Sequence, residues 1–396
     1  MITLPNDRTT AIRRIAERIE PELVATRRDL HAHPELAFEE VRTAGVVSRE
    51  LTRLGIAHQT GIAKTGIVAL IEGGRPGPVL AIRADMDALP IHEQTGLDYA
   101  STIPGLMHAC GHDIHTATLL GVAAVLHELA PALAGTIKLI FQPAEEAIGG
   151  AERMIAEGVL EGPHVDMALG FHNYPQMPAG QFGFCRGPAL AAADTFEVVV
   201  HGKSGHAAHP YAAIDPIVAA CQLIGQLQTV VSREVRPLHP AVVTVGAIHG
   251  GVAANIIPDS VTFIGTVRTL HAAAQDTAEA AIIRLCAGMQ EGMRVRCDVT
   301  YTRGVPAMLN DDTVLDPTVA AVRLQFGDAA VHATEPSMGA EDFALMSQVV
   351  PSFQLGIGSG APGRDDRLHN SAYSPDERCI AFGVQALSRA ALEMLS

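Results

Sequence analysis

Apolar runs that alternate with helix-period stretches constrain this chain more than any other feature. VLAIRADMDALP (79–90) reads as a buried strand entering a loop, HTATLLGVAAVLHELA (115–130) as a helix, and GTIKLIFQPAEE (135–146) as another strand entering a loop. Strand and helix in repeated alternation predict an α/β fold, a mainly parallel sheet with helices on both faces. At 396 residues the chain exceeds one ordinary core, since domains run to about 100–200 residues. The texture changes near residue 189. DTFEVVVHGKSGHAAHP is an alternating strand that enters a turn, and IDPIVAACQLIGQLQTVVS is a long helix. The strands AVVTVGAIHGG and SVTFIGTVRTL, the helix AAAQDTAEAAIIRLCAGMQEG and the strand RVRCDVTYTR follow. Strand, helix, strand, strand, helix, strand is the split βαβ, ferredoxin-like plan of a small α+β domain. Residues 1–188 and 305–396 are therefore expected to form the larger domain, and 189–304 an inserted smaller one.

Composition narrows the function classes. Charged residues are 18% of the chain and the net charge is -15, with no basic stripe, so no nucleic-acid partner is expected. The opening residues MITLPNDRTTAIRRIAERIE read as a charged amphipathic helix rather than a secretory signal, and no apolar stretch approaches the roughly 18 residues of a membrane span. A cytoplasmic protein with no membrane role is the expectation. The six cysteines at 110, 185, 221, 286, 297 and 379 include no CxxC pair, unlike a disulfide framework or a structural zinc site.

The acids and histidines cluster at strand ends. Asp85 and Asp87 follow VLAIRA, Glu145 and Glu146 follow IKLIFQ, and His172 follows VDMALGF. In open α/β sheets ligands bind beyond the carboxyl edge of the strands. MHACGHDIH adds Cys110 and His112 on a glycine-containing turn, and His369 follows the late strand SFQLGIGSG. One thiolate, three imidazoles and several carboxylates are enough for two metals sharing a ligand. Each piece alone has an ordinary reading: Glu145 and Glu146 as a solvated helix start, Cys110 as a small hydrophobe, His112 as a loop residue. Convergence of four segments on one sheet edge argues against coincidence.

The strings HAHPELAFEE, RADMDALP, MHACGHDIHTA, QPAEE, ALGFHNYP, GKSGHAAHP, NIIPD, GTVRT, GAEDF and LHN, in this order, resemble the M20 metallopeptidase and amidohydrolase family. They look most like the branch that contains hippurate hydrolase, N-acyl amino acid amidohydrolases and plant auxin-conjugate hydrolases. The resemblance implies a metal-dependent amidohydrolase that cleaves small N-acyl-L-amino acids, with two divalent ions drawn from zinc, manganese, cobalt and nickel. Cys110 matches the ligand that bridges the two metals. His112 and His172 would complete one site, Glu146 and His369 the other, and Glu145 matches the general base. His206 and Asn255 would stabilise the tetrahedral oxyanion, and Arg268 would clamp the substrate carboxylate. The inserted domain is implied to be a lid that forms a homodimer, or a higher homo-oligomer, and presents some of these groups to the partner's site. Asp87 is either an acceptor that fixes a ligand histidine or a plain N-cap. Metal ligation by Asp85 is not assumed, and His31, His33, His108 and His115 are read as structural.

Other readings are weaker. HGKSGH is no phosphate loop, because Glu197 stands where the first glycine should be, and His206 breaks the GxSxG elbow. A thiol hydrolase using Cys110 and His112 leaves QPAEE unexplained. A metal-free binding relative would not need five ligands and a base, and a dipeptidase or carboxypeptidase of the same family is the remaining enzyme alternative.

Overall fold

The computed structural model describes residues 5–147 and 149–396, and the first four residues of the opening segment lie outside it. The chain forms two compact units: Met1–Gly187 with Leu309–Glu335 and Leu345–Ser396, and Pro188–Met308 with Pro336–Ala344.

The first unit is built on an eight-stranded sheet. Its order is His58–Ile62, Gly66–Glu72, Ala134–Gln142, Arg75–Asp85, Met167–Pro178, Ser352–Gly360, Phe182–Phe184 and Val331–Ala333. The four strands from Ala134–Gln142 to Ser352–Gly360 are mutually parallel, and antiparallel pairs flank them. Ser352–Gly360 is buried at every residue but its last, as a central strand covered on both faces must be. Helices Pro5–Ala32, Val41–Leu54, His112–Glu128, Asp312–Phe326 and Arg378–Met394 flank the sheet. Helix His112–Glu128 is apolar nearly all round and buried along most of its length. Lys138 breaks the apolar pattern of its strand, and its ammonium donates to the carbonyls of Val159, Glu161 and Pro163 at 3.0, 2.7 and 2.8 Å. No helix among the described residues is long and apolar enough to cross a membrane.

A buried charge cluster sits behind the first turn of helix His112–Glu128. Arg27 and Asp113, both fully buried, pair at 2.8 Å. His31 donates from Nδ1 to Asp113 at 2.8 Å and lies 3.2 Å from Glu93 through Nε2. Burial opposes the charged imidazole, but Asp113 and Glu93 outweigh it and raise the His31 pKa. Two buried carboxylates are thereby neutralised where a lone charge would be costly.

The second unit holds a four-stranded antiparallel sheet in the order Ala241–Gly250, Ser260–Thr269, Ala192–His201, Arg296–Arg303. Helices Pro216–Thr229 and Ala272–Met293 pack on one face, where Phe196, Val198, Val200, Phe263 and Val267 meet Leu223 and Ile282. Asp215 caps the first helix by accepting from the amides of Ile217 and Val218, with Pro216 at its first position. The unit also takes in Val305–Met308 and Pro336–Ala344, which the expected boundaries leave with the larger domain. The reason is backbone pairing: Ser337 bridges Leu190, and the Ala191 amide donates to Gly339 at 2.8 Å.

Candidate metal centre

Strand register brings the donors of the first unit to one level. Ile82 pairs with Leu169 and Asp85 with Gln142, so Asp85, Gln142 and His172 stand abreast and Glu145 and Glu146 lie just beyond. His172 is not at a strand end as expected. It lies inside Met167–Pro178, because the ladder to Ser352–Gly360 pairs it with Gly356 and runs on to Pro178.

The Cys110–His112 turn needs its central glycine. Gly111 has φ +89°, and a Cβ there would fall 2.4 Å from Oδ1 of Asn173. The turn leaves Cys110 buried, with Sγ 3.5 Å from Nε2 of His172. His172 donates from Nδ1 to the carbonyl of Asn173 at 2.9 Å, which keeps the Nε2 lone pair toward the thiol. His112 opens the helix and donates from Nδ1 to Oδ1 of Asp87 at 3.2 Å. Its Nε2 is buried without a protein hydrogen bond.

Glu146 and His369 approach from the other side, with 3.1 Å between Oε1 and Nε2. The His369 amide donates to the Ala109 carbonyl at 2.9 Å and the residue has φ +57°, a left-handed conformation that costs a non-glycine residue energy and is common at functional sites. Glu145 is 8% exposed, and its Oε2 stands 4.0 Å from His112 Nε2. The donor atoms of Cys110, His112 and His172 all lie within 4.8 Å of one another, as do those of Cys110, Glu146 and His369. Cys110 belongs to both groups.

The electrostatics favour a cation. Burial pushes the Cys110 thiol well above its usual range, with Glu146 and Glu145 adding to the rise against His112. The Glu146 carboxyl is lowered: burial opposes ionisation, but the His369 hydrogen bond and the nearby His112 outweigh it. A buried thiol between carboxylates becomes a thiolate when a divalent ion supplies the missing charge, and the Nε2 of His112, which makes no hydrogen bond, is a further donor. The residues fit two divalent metals.

Two residues around the centre do more than the sequence reading gave them. His115 lies 2.5 Å through Nδ1 from Oδ1 of Asp85, accepts the Asn173 amide at Nε2, and stacks 5.3 Å from the His112 ring. Asp85 also takes Arg83 at 2.7 Å. His115 was readable, since three residues beyond His112 on a helix means the same face. His31 and His108 are buried away from the donor groups, and His33 donates to the Asp29 carbonyl at 2.8 Å.

The remaining candidates lie in the second unit. His206 and Asn255 are neighbours: Gly205–His206 pairs with Ile256–Ile257, and the Ala207 amide donates to the Asn255 carbonyl at 3.1 Å. Both are exposed. His206 Nδ1 accepts the Ala208 amide at 3.0 Å, so its own proton sits on Nε2, available as a donor. Arg268 is in strand Ser260–Thr269, opposite Val242 and Ala193 on the face without helices, and makes no ion pair among the described residues.

A model of peptidase family M20/M25/M40 matches residues 81–393. The N-acetylcysteine deacetylase of Bacillus subtilis is 42% identical over 375 residues, 94% of this chain and 97% of that protein. Thermostable carboxypeptidase 1 of Saccharolobus solfataricus is 36% identical, covering 93% of this chain and 94% of its own. Among solved structures, the Bacillus subtilis YXEP protein, a dinuclear metal binding peptidase from the M20 family, superposes with a TM-score of 0.85 at 37% identity, over 96% of this chain and 99% of that one.

Proposed function

Given that the chain belongs to peptidase family M20/M25/M40, as a metal-binding amidohydrolase, we propose that it removes the acyl group from N-acyl-L-amino acids of the N-acetyl or hippurate kind. What carries the reading is the position of Cys110, common to two donor groups that could each hold a metal ion. Cys110, His112 and His172 would hold one divalent ion, and Cys110, Glu146 and His369 the other. Zinc, manganese, cobalt and nickel all suit this donor set. Bound ions supply Lewis acidity toward a water and toward the amide carbonyl.

The protein's own groups do the rest. Glu145, beside His112 and nearly buried, accepts the proton of the attacking water and returns it to the leaving amine. Asp87 holds the His112 ring through Nδ1 and so aims Nε2. In the second unit, His206 donates from Nε2 and Asn255 from its amide to the oxyanion, and Arg268 binds the free α-carboxylate with a planar fork. The resemblance to the family supports these three roles, together with the exposure of His206 and Asn255.

The proposal includes a cytoplasmic homodimer joined through the second unit. Strand Ala241–Gly250 is a sheet edge without a single Asp, Glu, Lys or Arg, whereas the opposite edge, Arg296–Arg303, carries three. An uncharged edge strand is a pairing surface. All six cysteines are free, which suits a reducing compartment.

The test is hydrolysis of a panel of N-acetyl, N-benzoyl and indoleacetyl amino acids beside dipeptides, before and after chelator dialysis and metal add-back. Cleavage of N-acyl amino acids that disappears with the metal and returns with it is the expected result. Faster release of C-terminal residues from peptides would replace this reading with the carboxypeptidase one.

A further inference from the structure

The turn that carries Glu145 and Glu146 is held at two amides by two carboxylates from elsewhere in the chain. Asp87 takes the Glu146 amide at 2.9 Å through Oδ2. Glu40, just before helix Val41–Leu54, takes the Ala144 amide at 2.9 Å through Oε1. The same Glu40 oxygen accepts the Phe38 amide at 3.0 Å, and Oε2 accepts the hydroxyl of Thr65 at 2.6 Å. Glu40 is fully buried and pairs with no Lys, Arg or His among the described residues. Burial raises its carboxyl pKa and the nearby Asp87 adds to the rise, against the Thr65 hydroxyl, its own amide and the Ala144 amide, which favour the charged form. Holding an acid in the interior without a cation costs stability, which its three donors offset only in part.

The residue it holds is itself unusual. Ala144 has φ +54°, left-handed for a residue with a side chain, directly before Glu145. The loop closes behind it where the Gly150 amide donates to the Ala144 carbonyl at 3.2 Å, and a Cβ at Gly150 would meet the Pro143 carbonyl at 1.6 Å. Nothing in the short sequence Pro-Ala-Glu-Glu favours a left-handed alanine. The external bond from Glu40 opposes its relaxation toward ordinary backbone angles, which would swing the Glu145 carboxylate away from His112.

We propose that Glu40 is a positioning residue for turnover, acting through the Ala144 amide to hold Glu145 where it exchanges protons with the reacting water. This rests on Glu145 as the base.

The experiment compares Glu40→Ala and Glu40→Gln in the wild type and in a Glu145→Gln background, with kcat, KM and metal per chain measured for each. Misplacing a reacting group by about 1 Å costs up to roughly 100-fold in rate. Glu40→Ala is expected to lower kcat by about 10-fold to 100-fold at nearly constant KM and unchanged metal content. Glu40→Gln keeps an acceptor for both amides, and the Thr65 hydroxyl turns to accept from its NH2, so most of kcat returns. In the Glu145→Gln background the Glu40 effect vanishes. Wild-type kcat in Glu40→Ala overturns the proposal, and so does a proportional loss in the Glu145→Gln background, the mark of general damage. If Glu40→Ala does not fold, Glu40→Asp, whose shorter side chain falls short of the Ala144 amide, gives the same readout. Full activity in Glu145→Gln would sink the base assignment instead, a result the Glu40 series does not mimic.

Discussion

His112 turns Nδ1 onto the carboxylate of Asp87 at 3.2 Å, leaving Nε2 buried in the site without a hydrogen bond, 3.7 Å from Asp85 and 4.0 Å from Glu145. The other oxygen of Asp87 holds the Glu146 amide, so one carboxylate orients two donor residues. Asp87→Asn keeps an acceptor for only one of them. Metal affinity is expected to fall about 10-fold to 100-fold, the usual cost of losing a partner behind a ligand histidine. Chelator competition measures it, and an unchanged dissociation constant would return Asp87 to the role of a plain cap.

Glu145 and Glu146 are adjacent but face different partners, His112 and His369. Glu145→Gln is expected to retain fold and both metals while losing nearly all turnover, and Glu146→Gln to lose metal as well. Metal analysis of the two proteins decides. The reverse pattern would mean that base and ligand have been exchanged.

Arg268 stands on the helix-free face of its sheet without an ion pair among the described residues, in a protein of net charge -15. If it binds the substrate carboxylate, Arg268→Ala lowers kcat/KM for N-acyl amino acids by about 10-fold to 100-fold for each lost bond of about 1.5–3 kcal/mol. Esterifying that carboxylate should then harm the wild type far more than the variant. Strictly additive effects of mutation and esterification would show that the two groups do not meet.

The buried pair Arg27 and Asp113 lies behind the ligand turn at 2.8 Å. Removing one partner of such a pair costs about 3–5 kcal/mol, so Arg27→Met should unfold at markedly lower denaturant than the wild type. His31 in the same cluster has a raised pKa in the folded state, through Asp113 and Glu93 against burial. A raised folded pKa stabilises fully below the unfolded value near 6.5 and is lost as pH rises through the folded one. The stability gap between wild type and His31→Gln should therefore be wider at pH 6 than at pH 9. A constant gap would mean that His31 is not charged in the folded protein.

Much of this protein was legible in its residues. Apolar runs such as VLAIRA and SFQLGIGSG have to be buried on both faces, which dictates a central parallel sheet. The period change near residue 189 marks a second kind of sheet. Cys110, His112, Glu145, Glu146, His172 and His369 could be picked out as candidates because chemistry limits which side chains bind metal and because their motifs occur in a recognisable order, and the fold brings them together. What the sequence could not supply was anything that depends on strands meeting. Ladder register puts His172 inside its strand and level with Asp85, and backbone pairing carries Pro336–Ala344 into the second unit. Glu40 looks like an ordinary surface acid, and Asp87 like an acceptor for a ligand histidine or a cap, until the fold brings them 104 and 59 positions along the chain to the amides of Ala144 and Glu146. Backbone amides have no letter in a sequence, so which one a distant carboxylate will hold is decided only when the tertiary structure closes around it.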